Sequence, residues 1–227
     1  MKLFSLNQDQ SFITLISEKT LVLKHMRITD RIDLIDGTMA HSYVFYSSSG
    51  IVLFDTGTRG SGKKIVEYFM NRKTKPAYVI LTHYHMDHIG GLPRIKSEFD
   101  PVVFINDADR KVVTGEATMP RPPNRLVSMM LGLARVTPVG DVKSLGDMNL
   151  KEIKILETPG HTPGSTSFII ESEKVVVVGD SLVNSRGKAT VSKAFSLDID
   201  LARKSIEKLK NMKGYKALPG HGDPLDL

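Results

Sequence analysis

The chain has 227 residues, ample to bury an apolar core, and one compact domain over 1–227 is the default expectation. It contains no cysteine, which excludes disulfides, thiolate metal sites and cysteine nucleophiles; any metal must be held by His, Asp or Glu. The formal net charge of +6 is spread along the sequence instead of forming one block, so it reads as a solvated basic surface and gives little support to a nucleic-acid interface.

The opening MKLFSLNQDQSF has no apolar core of signal-peptide length, and no run approaches the roughly 18 apolar residues of a membrane span. A cytoplasmic protein without a membrane segment is therefore expected. Short apolar runs then recur between turn residues: FITLI at 12–16, TLVLKHM at 20–26, SYVFY at 42–46 and IVLFD at 51–55. Their spacing predicts an antiparallel opening sheet. From Lys63 the periodicity changes, because Ile65, Val66, Phe69 and Met70 share one helical face, and AYVILTH at 77–83 follows as a strand buried on both faces. A helical stretch from Ile89 to Phe99 and a strand VVFI at 102–105 suggest a second such unit.

Residues 107–147 differ from their flanks. The prolines of MPRPPNR at 119–125 disfavour regular structure, and LVSMMLGLARV at 126–136 is an apolar stretch of helical length. Between 110 and 138, Arg110, Lys111, Arg121, Arg125 and Arg135 face only Glu116 in charge balance. The segment exceeds what a simple connection needs, so it is a candidate lid or substrate wall. Beyond it, KEIKILET at 151–158, SFII at 167–170 and KVVVVGD at 174–180 read as strands. Ile199, Ala202, Ile206 and Leu209 mark a late amphipathic helix, with Ser196 or Asp198 as its cap.

The chemistry concentrates where strands end. In THYHMDHIGG, residues 82–91, the strand should finish near Thr82 and leave His83, His85, Asp87 and His88 in the loop at its C-terminal edge. In open α/β sheets ligands gather at that edge. Imidazoles with a carboxylate suit zinc, iron or manganese, and each ion needs about four to six donors, more than one loop supplies for two ions. Other strand ends offer them: His161 in TPGHTPGS, Asp180 in VVVVGDSL, His221 in ALPGHGD and Asp55 in FDTG. Singly each is an ordinary turn former; together, with five of the seven histidines at glycine-flanked turns, they point to a metal site. His41 begins a strand that should approach the site, while His25 has no such placement; both read as structural or surface residues.

The ordered set DTG at 55–57, THYHMDHIGG at 82–91, TPGHTPGS at 158–165, VVVGDSL at 176–182 and LPGHG at 218–222 resembles the five motifs of the metallo-β-lactamase superfamily. The resemblance runs from about residue 12 to 223 and implies an α/β protein, a four-layer αβ/βα sandwich with a dinuclear metal centre between two sheets. Carried over by position, it implies that His83, His85 and His161 hold one ion, that Asp87, His88 and His221 hold the second, and that Asp180 bridges them. Asp55 is implied as a carboxylate behind the ligands that orients them. The implied cofactor is two divalent ions, zinc first, with iron or manganese as alternatives. Two cations roughly 3.5–4 Å apart share a water and present it as hydroxide, and either Asp87 or Asp180 is a catalytic candidate to orient it and move a proton.

Within the superfamily, several branches fit poorly. Flavin-dependent members carry Glu where this chain has His85, and glyoxalase II adds a C-terminal helical region where this chain stops six residues after His221. The expectation is a hydrolase acting on a small ester, thioester or lactone. The alternatives are a mononuclear-iron persulfide dioxygenase, an RNA-processing nuclease favoured by the basic 110–138 segment, and a metal-binding module without catalysis.

Overall fold

The computed structural model describes residues 25–35, 38–131 and 136–227. The expected strand at 12–16 and the start of that at 20–26 lie outside them, as does the end of the apolar stretch at 126–136. The first sheet has seven strands in chain order across it: β1 (His25–Thr29), β2 (Ile32–Ile35), β3 (Ser42–Ser47), β4 (Gly50–Phe54), β5 (Tyr78–Ile80), β6 (Val102–Ile105) and β7 (Val142–Ser144). β1 to β4 pair antiparallel, as the short spacings predict, whereas β4 to β7 pair parallel.

Parallel neighbours need a crossover, and the intervening sequence supplies helices for it. α1 (Ser61–Asn71) connects β4 to β5, α2 (Met86–Ile89) and α3 (Leu92–Phe99) connect β5 to β6, and α4 (Asp107–Val113) and α5 (Arg125–Leu131) connect β6 to β7. The helix expected over 89–99 is thus two, broken at Gly90-Gly91. A methyl on Gly90 would sit 2.5 Å from the Met86 carbonyl and 2.6 Å from the Arg59 amide, so the glycine lets the loop after β4 pack directly on the break.

The second sheet is built from β8 (Lys154–Glu157), β9 (Thr166–Ile170) and β10 (Val175–Gly179), then, after the hairpin β11 (Val183–Ser185) and β12 (Lys188–Thr190) and helix α6 (Ile199–Lys210), from β13 (Lys216–Pro219) and β14 (Leu225–Asp226). Its order is β14-β13-β10-β9-β8, with β10 and β13 parallel across α6. Of the two expected caps for α6, Asp198 serves, accepting from the Leu201 amide at 2.9 Å. Ser196 turns instead towards His161.

The alternation of side chains along the strands separates three apolar layers. Leu53, Val79 and Val103 lie with Ile65, Phe69, Leu92, Ile95 and Val112 beneath α1, α3 and α4. Val52, Phe54, Ile80 and Phe104 meet Phe168, Ile170, Val175 and Val177 between the sheets. Val176 and Val178, one residue out of phase, pack with Ala202, Ile206 and Leu209 of α6. Helix, sheet, sheet, helix is the four-layer α/β order expected from the sequence. Residues 107–147 do not stand apart from it: α4 and β7 are integral to the first half, and Val112 and Val113 are buried. Among the described residues no helix is long and apolar enough to cross a membrane.

Candidate metal centre

The strand ends converge on one edge. β4 delivers Asp55, β5 delivers the loop from Thr82 to His88, the β8–β9 turn delivers His161, β10 delivers Asp180 and β13 delivers His221. Backbone hydrogen bonds lock these ends together, among them Thr166 N to Thr82 O at 3.1 Å and Gly220 N to Gly179 O at 2.9 Å.

Two sets of donors face each other. His83, His85 and His161 form one, with His83 Nε2 3.1 Å and His161 Nε2 2.8 Å from His85 Nδ1. Asp87, His88 and His221 form the other, with His221 Nε2 3.0 Å from Asp87 Oδ2. Asp180 lies between them. Its Oδ1 is 3.3 Å from His88 Nε2, and its Oδ2 is 3.4 Å from His161 Nε2 and 3.6 Å from His221 Nε2. The first set, His88 and Asp180 are buried, whereas the Asp87 and His221 side chains keep 29% and 37% exposure and so form the open side.

The layer behind these groups fixes which nitrogen points inward. Asp55 accepts from His88 Nδ1 at 2.7 Å, from the Thr82 amide at 2.8 Å and from the Thr82 hydroxyl at 2.8 Å. That hydroxyl, its own proton given to Asp55, accepts from His83 Nδ1 at 3.0 Å. One carboxylate therefore fixes both the His83 and His88 rings with Nε2 turned to the centre, the orientation that metal-bound histidines need. Asp55 itself has φ +55°, a left-handed conformation uncommon outside glycine, held by its amide on the Ile80 carbonyl at 3.0 Å.

Burial pushes His83, His161 and His85 down, His85 to about 3, so the first set consists of neutral imidazoles with free lone pairs. Burial opposes a charge on His88 as well, but Asp180 and then Asp55 outweigh it and raise it. The hydrogen bond to Asp87 raises His221. Asp180 stays ionised: burial works against it and the His88 charge prevails. His88 Nε2 and Asp180 Oδ1 are buried without a hydrogen-bond partner. Buried polar atoms left so are costly, and a cation between these two satisfies both. The donor set, all imidazole and carboxylate, fits divalent zinc, iron or manganese.

A model of the metallo-beta-lactamase superfamily matches residues 35–221. The chain belongs to that superfamily. It is 29% identical over 147 residues to the probable metallo-hydrolase YqgX of Bacillus subtilis (strain 168), a match spanning 63% of this chain and 66% of that protein, less than two thirds of it. To the probable metallo-hydrolase M6_Spy0554 of Streptococcus pyogenes serotype M6 it is 27% identical over 211 residues, 87% of this chain and 84% of that protein. The crystal structure of TTHA1623 in a di-iron-bound form superposes with a TM-score of 0.67 at 25% identity, covering 82% of this chain and 89% of that one.

The donors open on a cavity of about 780 Å³ whose walls include Met39, Met86, Val183 and Phe195. None of the described residues of 107–147 lines it, so the expected substrate wall is not formed by them; Val136 and Thr137 line an adjoining cleft instead. His41 packs at 3.2 Å from the Tyr43 hydroxyl and 3.3 Å from the Pro219 carbonyl, a structural position as expected. The His25 side chain lies outside the described residues.

Asp109 had no signal in the sequence, being one of two aspartates in the first turn of an ordinary-looking helix, α4. It is fully buried and ties the two histidine loops together. It accepts from the Thr162 hydroxyl at 2.6 Å and the Gly164 amide at 2.7 Å, beside His161, and from the Tyr84 amide at 3.2 Å, between His83 and His85.

Proposed function

We propose that the protein is a dinuclear metal-dependent hydrolase of a small ester, thioester or lactone. The observation that carries this is Asp180, whose two oxygens face the two donor sets from between them. His83, His85 and His161 hold one ion, Asp87, His88 and His221 the other, and Asp180 bridges; Asp55 orients His88 directly and His83 through Thr82. Zinc is the proposed metal, with iron and manganese served by the same donors.

When bound, the two ions supply Lewis acidity towards a carbonyl and an acidified water. The chain's own residues do the rest. Asp87 and Asp180 line the cavity and are placed to orient the attacking group and take its proton. Met39, Met86, Val183 and Phe195 exclude water from the reacting face and receive the apolar part of the substrate. The proposed partner is thus a small molecule. A nuclease would need basic contacts beside the donors, and among the described residues Arg59 is the single Lys or Arg lining this cavity.

The test is turnover of an ester, thioester and lactone panel by the metal-loaded protein, with Asp180→Asn as control. Turnover that disappears in the variant while the fold persists supports the proposal; no turnover of any class by the wild type refutes it.

A further inference from the structure

We infer that the substrate carries an oxyanion, a carboxylate or phosphate, and that Arg59 binds it; the inference deepens the hydrolase reading and rests on it. Among the described residues Arg59 is the one basic Lys or Arg side chain beside the metal donors, on a wall that Met39, Met86, Val183 and Phe195 share with the neutral polar Thr58, Asn184, Ser185 and Ser192. Among the described residues no carboxylate pairs with it: it has no ion pair within 4 Å, although Asp87 lines the same cavity. An arginine at the wall of such a cleft, without a protein counter-ion, is suited to a ligand's carboxylate or phosphate, two oxygens of which its guanidinium fork grips with two hydrogen bonds.

Three further observations support a built position over a stray surface charge. First, its backbone is fixed. Ser61 N donates to Thr58 O at 2.9 Å, Thr58 N donates to Ser61 Oγ at 3.2 Å, and the Arg59 amide packs where a Gly90 methyl would come within 2.6 Å. Second, two further clefts have Arg59 in their walls. Arg59 and Met86 also line a smaller cleft with Val136, and Arg59 lines a third, of about 500 Å³, with Arg94. Arg94, too, has no ion pair among the described residues, and Glu98 is the one acidic side chain on that third cleft. Third, the surplus of +6 favours arrival of an anion. A substrate that places its acyl part on Met39 and Phe195 therefore projects its charged end towards Arg59, with Arg94 beyond.

The experiment uses metal-loaded full-length protein and three octanoyl thioesters that differ only in the thiol: 2-mercaptoethanol, 3-mercaptopropionate and 2-mercaptoethyl phosphate. Wild type should prefer at least one anionic member over the neutral one by a factor of about ten or more in kcat/KM, chiefly through KM. Arg59→Gln should erase that preference, and Arg59→Lys, which keeps the charge but loses the fork, should retain part of it. Which anionic member is preferred tells carboxylate from phosphate. Equal rates on all three by the wild type, or an equal loss on all three in Arg59→Gln at unchanged metal content, overturns the inference. If none is turned over, the hydrolase reading is decided separately by the ester, thioester and lactone panel, and calorimetric binding of the three corresponding thioethers still decides this inference: an anion preference lost in Arg59→Gln upholds the Arg59 site, and its absence in the wild type overturns it.

Discussion

Replacing Asp109 by alanine should do more damage than removing an ordinary helix residue, because it strands the buried Gly164 and Tyr84 amides and leaves the Thr162 hydroxyl only Ser165 Oγ, at 2.8 Å. The Thr162 hydroxyl and the Gly164 amide, at 2.6 and 2.7 Å, lose strong charge-assisted bonds, and the Tyr84 amide at 3.2 Å loses a weaker one. At about 1–3 kcal/mol for each of the two buried amides left without a partner, the loss should be about 2–6 kcal/mol. That is a large share of the 5–15 kcal/mol typical of a folded domain. Asparagine keeps one acceptor oxygen and the side-chain shape, so Asp109→Asn should cost only about 1–2 kcal/mol. Urea denaturation of both variants measures these losses. The same loops position His83, His85 and His161, so metal affinity should fall by about 10–100-fold in Asp109→Asn, which still folds. A variant Asp109→Ala that unfolds at the wild-type urea concentration and retains wild-type metal affinity would refute the idea that this carboxylate holds the two loops in register.

Three further outcomes are expected. Asp55→Asn should weaken metal retention by about 10–100-fold, because the amide can satisfy the Thr82 amide yet no longer accepts from both His88 Nδ1 and the Thr82 hydroxyl; dialysis against a chelator with metal analysis reads this. Gly220→Ala should abolish metal binding while the protein still folds, since the methyl would lie 2.5 Å from both Asp180 Oδ1 and His88 Cε1, at the centre and not in the core; circular dichroism and metal analysis separate the two effects. The Asp109 carboxyl should titrate near 6, raised by burial against its hydrogen bonds, and carbon NMR of the labelled side chain gives the midpoint. Because the raised value favours the protonated form in the folded state, this group's contribution to stability grows as the pH falls from about 6 towards the unfolded carboxyl range near 4.

What was legible in the sequence follows from periodicity and from unusual chemistry. β10 announces itself because an unbroken Val175–Val178 run must be covered on both faces, and α6 because its apolar residues keep one stripe and begin just after a capping aspartate. The seven candidate donors were named in the sequence because histidines and aspartates recur together at glycine-flanked strand ends and because the resemblance to the superfamily's motifs implies that set. Asp109 and Thr82 were not legible. Each is a common residue in a common setting, and its importance arises from contacts with positions far away in the chain: Asp109 meets Thr162 across 53 residues. The break of one expected helix into α2 and α3 was missed for a similar reason, since the Gly90-Gly91 pair reads as a mere weakness until the Thr58-Arg59 backbone is seen pressed against it.

If two ions sit between these sheets and Asp180 serves both, as proposed, elemental analysis of protein expressed with zinc, iron and manganese all present should find close to two ions per chain in the wild type. Asp180→Asn, prepared in parallel, should show a clear loss. A single ion per chain in the wild type, unchanged when Asp180 is replaced, would contradict the proposal.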